Sequence, residues 1–172
     1  MKNTLVLLGY MASGKSAVAR YISEEYNLRY IDLDSVIHQK EQMTIQDIFK
    51  KKGEIYFRKK EQLYLDEILS ENSKIVLAVG GGTPCYGQNM NLINKKAISV
   101  FIKTPLKTLI NRLLAEKNIR PLVAGLNGAD LPEFVAKHLF ERSPFYEKAQ
   151  YIIDAQHKSI AAIASEILET IK

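Results

Sequence analysis

The densest set of chemically capable residues is Gly9-Tyr10-Met11-Ala12-Ser13-Gly14-Lys15-Ser16, which has the spacing of a phosphate-binding loop: a glycine, four residues, then Gly-Lys-Ser. Glycines let a backbone curl its N–H groups around phosphate oxygens, and a helix starting at the loop adds a positive dipole end. The lysine of such a loop reaches the β- and γ-phosphates and the serine hydroxyl binds Mg²⁺. Gly9, Ala12, Ser13, Gly14, Lys15, Ser16 and Ala17 are therefore expected to hold ATP, with Mg²⁺ on Ser16. Such a loop names the phosphate donor and leaves the acceptor open.

Other residues bear on the acceptor. Asp32-Leu33-Asp34 closes an apolar run, and strand alternation would send both carboxylates away from Leu33, one toward a metal and one toward an acceptor hydroxyl. The alternative is a pair of turn or helix-capping aspartates. Arg58 and Glu61 are three apart on an expected helix, where the carboxylate can orient the guanidinium; an ordinary surface ion pair is the alternative. Gly80-Gly81-Gly82 follows a strand, and a turn seldom needs three glycines, whereas close approach of a ligand to backbone does. The strand before them, Ile75-Val76-Leu77-Ala78-Val79, offers no aspartate, which leaves Asp32 as the metal carboxylate.

These residues must be positioned by regular elements. Apolar runs at Thr4–Leu8, Arg29–Leu33, Ile75–Val79, Ala97–Ile102 and Tyr151–Ile153 are short and continuous, as in strands buried on both faces. Helical patterns lie between them. Ile160, Ile163, Ala164, Ile167, Leu168 and Ile171 repeat at helical spacing behind a Ser159 cap, Thr44 with Asp47 reads as a capping box, and Thr104-Pro105 reads as a cap followed by a first-turn proline. The expected fold class is α/β, a five-stranded parallel sheet flanked by helices on both faces, with ligands at the carboxyl ends of the strands. The breaker-rich stretch 117–130 is expected to be a mobile loop.

The 172 residues are 47% hydrophobic and 25% charged, which suits one domain over residues 1–172. Lys and Arg exceed Asp and Glu by 24 − 19 = +5, without the basic run or stacking platform of a nucleic-acid binder. A single cysteine, Cys85, excludes an internal disulfide, and no signal segment or membrane span is evident. A cytoplasmic monomer is expected. His38, His138 and His157 lack metal-ligand spacing, and Cys85 has no evident base.

The series Ile45-Gln46-Asp47-Ile48-Phe49, Gly53-Glu54, Phe57-Arg58 and Glu61, continuing through the triple glycine to Arg120-Pro121-Leu122, Glu141-Arg142 and Tyr146, resembles the shikimate kinases along nearly the whole chain. The resemblance implies a P-loop kinase with a substrate-binding region at about 34–61 and a mobile lid at 113–128. It assigns Arg58 and Arg142 to the shikimate carboxylate, a pairing that suits arginine's bidentate fork, and places Gly80, Gly81 and Gly82 along the shikimate pocket. It also implies that Arg120 closes over the triphosphate and that Gln156 lies in the loop that cradles the base; Arg112 is placed near the adenine.

The implied reaction is transfer of the γ-phosphoryl group of MgATP to the 3-hydroxyl of shikimate. Lys15 and Arg120 would offset charge, and Asp34 would hold the hydroxyl and accept its proton. The stretch Thr83-Pro84-Cys85-Tyr86 departs from the arginine-containing version common in the family, with consequences expected only for peripheral contacts. Alternatives are another sugar-acid kinase, such as a gluconate kinase, or a non-catalytic nucleotide-binding regulatory module.

Overall fold

The computed structural model describes residues 3–71, 73–115 and 129–171. Five strands, β1 (Thr4–Leu8), β2 (Arg29–Asp32), β3 (Ile75–Ala78), β4 (Ile98–Lys103) and β5 (Tyr151–Asp154), form one parallel sheet in the order β2-β3-β1-β4-β5. Among the described residues seven α-helices connect or follow them: α1 (Lys15–Tyr26), α2 (Leu33–Glu41), α3 (Ile45–Ser70), α4 (Asn89–Lys96), α5 (Leu106–Ala115), α6 (Leu131–Tyr146) and α7 (Ile160–Thr170). Among the described residues no helix is long and apolar enough to cross a membrane.

The continuous apolar strands follow from burial on both faces. Val6 and Leu8 pack with Leu33 and Ile37 of α2, Leu65 of α3 and Ile93 of α4. Their alternating neighbours Leu5 and Leu7 pack on the other face with Val18 and Ile22 of α1 and Ile163 and Ile167 of α7. Each such side chain contributes about 2 kcal/mol through burial. A third cluster joins Tyr10 of the phosphate loop to Leu109 and Leu113 of α5 and to Leu131, Val135 and Tyr146 of α6.

The register sets the site. Leu7 pairs with Ala78, and Ala78 with Asp32, so the segments leaving β1, β3 and β2 emerge side by side at the carboxyl edge. These carry the phosphate loop, the triple glycine and the two aspartates.

Several local expectations hold. Ser159 caps α7 by accepting from the Ala162 N–H, and Thr44 caps α3 by accepting from the Asp47 N–H. Others are corrected. β2 stops at Asp32, because Leu33 turns inward as a fully buried first residue of α2; Asp34 is therefore helical, and strand alternation does not relate it to Asp32. Beyond marking the start of α5 at Leu106, the Thr104 hydroxyl donates to the Ser13 carbonyl at 3.2 Å, tying α5 to the phosphate loop. Of the expected lid, residues 113–115 belong to α5 with Leu113 buried; residues 116–128, including Arg120, lie outside the described residues. α3 is two helical segments joined at Gly53, whose φ of 82° and ψ of 168° interrupt the helix and redirect Arg58 and Glu61.

Candidate active site

The phosphate loop runs from β1 into α1. Gly9 (φ 152°) has no room for a side chain, since a Cβ would lie 2.9 Å from the Ile102 carbonyl oxygen and from Ser13 Oγ. Gly14, at the helix N-cap, has φ 95°. Ala12 takes a left-handed φ of 61°, a conformation that disfavours a Cβ by about 1 kcal/mol. Lys15 is buried and donates to the Tyr10 carbonyl at 2.8 Å and to Ser13 Oγ at 3.4 Å. Arg112 donates from Nη1 to the Ala12 carbonyl at 2.9 Å, so α5 braces the loop as Thr104 does.

A cleft of about 450 Å³ opens over this loop, lined by residues 11–18 and by Asp32, Asp34, Gly80, Gly81, Arg112 and Lys158. Ile160 and Ile163 of α7 give it one apolar wall. Gln156 faces a different cavity, with Phe101, Leu139 and Ser143; Lys158, two residues further on, is the one from that loop that reaches the phosphate cleft. Arg20 also lines the cleft, one helical turn beyond Ser16, and sequence reasoning missed it.

Asp32 and Asp34 take different environments. Asp32 Oδ1 accepts from the Ser35 N–H at 3.1 Å as the cap of α2, while Oδ2 faces Ser16 Oγ at 3.4 Å and accepts from the Tyr30 hydroxyl at 3.2 Å. Both the capping and the metal-facing roles are therefore compatible in one carboxylate. Tyr30 was legible in principle, lying two residues before Asp32 on the same strand face. Asp34, in the first turn of α2, is open to the cleft yet surrounded by protein. Desolvation first, then the neighbouring Asp32 and Glu61, push its carboxyl up from 3.8 to about 6, against the pull of Lys15 and Arg58.

The three glycines are crowded by the chain's own groups. A Cβ on Gly80 would sit 3.1 Å from Thr83 Oγ1 and 3.2 Å from Asp34 Oδ1; one on Gly81, 3.2 Å from the Met11 N; one on Gly82, 2.9 Å from Arg58 Nη2 and 3.4 Å from Arg142 Nη2. Arg58 of α3 and Arg142 of α6 thus converge on one point. Two guanidinium groups repel unless an anion lies between or beside them, and Glu61, 1% exposed, supplies one: its Oε2 accepts from Arg58 Nη1 at 2.8 Å and its Oε1 from Thr83 Oγ1 at 2.7 Å. Tyr146, one turn beyond Arg142, donates its hydroxyl to the Gly81 carbonyl. Cys85 is passive here, its thiol pushed up to about 11 by burial.

A phosphate loop at the carboxyl edge of a parallel sheet, with an aspartate and an arginine pair one glycine step away, defines a P-loop small-molecule kinase. The family model of shikimate kinase matches residues 11–172. The shikimate kinase of Flavobacterium johnsoniae is 40% identical over 96% of this chain and 96% of its own. Among solved structures, the shikimate kinase of Bacteroides thetaiotaomicron superposes with TM-score 0.91 at 31% identity, covering 98% of this chain and 97% of that one. That of Acinetobacter baumannii, solved in complex with shikimate, gives TM-score 0.88 at 32% identity over 98% and 92%. The chain belongs to the shikimate kinase family.

Proposed function

We propose that the protein transfers the γ-phosphoryl group of MgATP to the 3-hydroxyl of shikimate, releasing ADP and shikimate 3-phosphate. The observation that carries this is the convergence of Arg58 and Arg142 on Gly82, next to the glycine that touches the phosphate loop. A paired guanidinium fork is built for a planar carboxylate, and its place in the sequence of glycines sets the rest of a small hydroxylated ring between it and Asp34.

Within that scheme the loop amides from Gly9 to Ala17 and Lys15 hold the triphosphate, with Arg112 and Lys158 at the edge of the cleft. Ser16 and Asp32, two hard oxygen donors facing one another, would hold Mg²⁺. When bound, the ion would offset charge on the β- and γ-oxygens. Asp34 orients the 3-hydroxyl and accepts its proton as the new O–P bond forms and the bond to ADP breaks. Its raised proton affinity suits it to that work, since it is ionised at neutral pH and yet more basic than an ordinary carboxylate. Arg120 is assigned to the transferring group on the family resemblance. A monomer working in the cytoplasm is part of the same proposal, the monomer from the size of the chain alone.

The test is ADP release with MgATP and shikimate, run beside gluconate and a no-acceptor control. Release only with shikimate is expected. Equal or greater turnover of gluconate would replace shikimate by another sugar acid, and release at the background rate with either would leave a nucleotide-binding module.

A further inference from the structure

Tyr86 lies at the end of the 3₁₀ turn Thr83–Cys85 that follows the three glycines, and its ring lies against Arg58, with the guanidinium carbon 3.7 Å from the ring centroid. The rings of Phe57 and Phe49 are further away, at 5.0 and 5.9 Å. The Tyr86 hydroxyl donates to Glu54 Oε1 at 2.7 Å, and the same oxygen accepts from Arg58 Nε at 3.3 Å. Glu54 is held ionised, below its usual carboxylate range, first by that hydroxyl. On the other side Glu61 takes Arg58 Nη1. Nε and Nη1 are thus engaged, the guanidinium face is covered, and Nη2 is the nitrogen nearest the position of a Gly82 Cβ, at 2.9 Å against 3.1 Å for Nη1.

Resting on the shikimate reading above, we infer that Tyr86 is a positioning residue: by stacking on Arg58 and anchoring Glu54, it fixes the guanidinium plane so that one edge faces the acceptor's carboxylate. An arginine side chain has several rotatable bonds, and a bound carboxylate that must also immobilise them is held less tightly. A ring against the face and two carboxylates on the donors remove that freedom beforehand. The turn that carries Tyr86 is itself anchored, because the buried Asn89 donates its amide to the Thr83 carbonyl at 2.9 Å and its backbone N–H to the Tyr86 carbonyl at 3.2 Å.

Two variants separate the stack from the hydroxyl. Tyr86→Phe keeps the ring and loses the Glu54 contact; its KM for shikimate is expected to rise about threefold. Tyr86→Ala loses both and should raise it roughly tenfold or more, with kcat and the KM for ATP within about twofold, as for lost ground-state orientation. A second readout excludes a merely structural effect. With the methyl ester of shikimate, which has no carboxylate to grip, wild type and Tyr86→Ala should differ by less than about twofold.

An unchanged KM for shikimate in Tyr86→Ala overturns the inference. So does an equal loss with the ester, or a parallel rise in the KM for ATP, since either would mean the turn itself has collapsed. Wild-type enzyme that fails to phosphorylate shikimate overturns the functional reading and this inference with it, whereas active wild type with indifferent Tyr86 variants overturns this inference alone.

Discussion

Asp34→Asn should stabilise the protein at neutral pH while disabling it. Asp34 is pushed from 3.8 to about 6 chiefly by desolvation, with Asp32 and Glu61 adding repulsion. At about 1.4 kcal/mol per unit, a shift of roughly two units corresponds to ~3 kcal/mol disfavouring the ionised form. The side chain opens onto the cleft, and solvent screening reduces that figure to ~1 kcal/mol. The sign follows from proton binding. Between about pH 4 and pH 6 the folded state keeps a proton that the unfolded chain gives up, so this group's contribution is fully present below the unfolded value and is lost as pH rises through about 6. An asparagine amide does not titrate, so the variant escapes the loss. Urea unfolding at about pH 7.5 should show the variant ~1 kcal/mol more stable, the gap closing to a small fraction near pH 4. Its kcat should fall at least about 100-fold, and wild-type kcat/KM should lose activity below about pH 6. A variant less stable than wild type at neutral pH, or a gap that does not change with pH, would refute the account of Asp34 as a strained, charged group.

Arg58→Lys should raise the KM for shikimate by about tenfold or more while leaving the KM for ATP within about twofold, because a point charge cannot reproduce a planar fork held by Glu54, Glu61 and Tyr86; steady-state kinetics with each substrate varied decides it, and an unchanged shikimate KM would remove Arg58 from the acceptor site. Gly53→Ala meets no atom within 4 Å, so its whole penalty is conformational: φ 82° with ψ 168° is a backbone that glycine alone adopts readily and should cost about 1–3 kcal/mol, seen as a Tm lower by roughly 5 °C.

How much of this was legible in the sequence depends on how local each feature is. The phosphate loop was, because its function lies in backbone spacing within eight residues. The caps at Thr44 and Ser159 were, because each bonds an N–H three positions on. Thr104 marks the start of α5, but what its hydroxyl donates to was not legible, because the Ser13 carbonyl lies 91 residues away in sequence. Asp34 was placed on a strand because Asp-Leu-Asp alternates; burial of Leu33 beneath the sheet edge forced a helix to start there instead. Gln156 was assigned to the base, and it lines a cavity beside the phosphate cleft that Lys158 reaches; no pattern in a polar loop tells those two directions apart. Tyr86 was judged peripheral because its value comes from the turn folding back onto α3, which brings it over a residue 28 positions earlier in the sequence.

The triple glycine shows most clearly what three dimensions add. Its spacing suggested room for a ligand against the backbone, and the protein atoms nearest each glycine differ from one position to the next. At Gly80 a methyl group would press on Asp34 and Thr83, at Gly81 on the backbone of the phosphate loop, and at Gly82 on the guanidinium groups of Arg58 and Arg142. Three alanine substitutions, alike in chemistry, should then give three different kinetic losses. Gly80→Ala should lower kcat first, by displacing Asp34. Gly81→Ala should raise the KM for ATP, because backbone at 3.2 Å must give way. Gly82→Ala should raise the KM for shikimate and leave ATP alone, since only the far ends of Arg58 and Arg142 need move. Steady-state kinetics of the three variants separate these outcomes. The same loss pattern in all three would mean that the glycines serve the turn and not the three parts of the site, and the division of labour derived from their neighbours would fall with it.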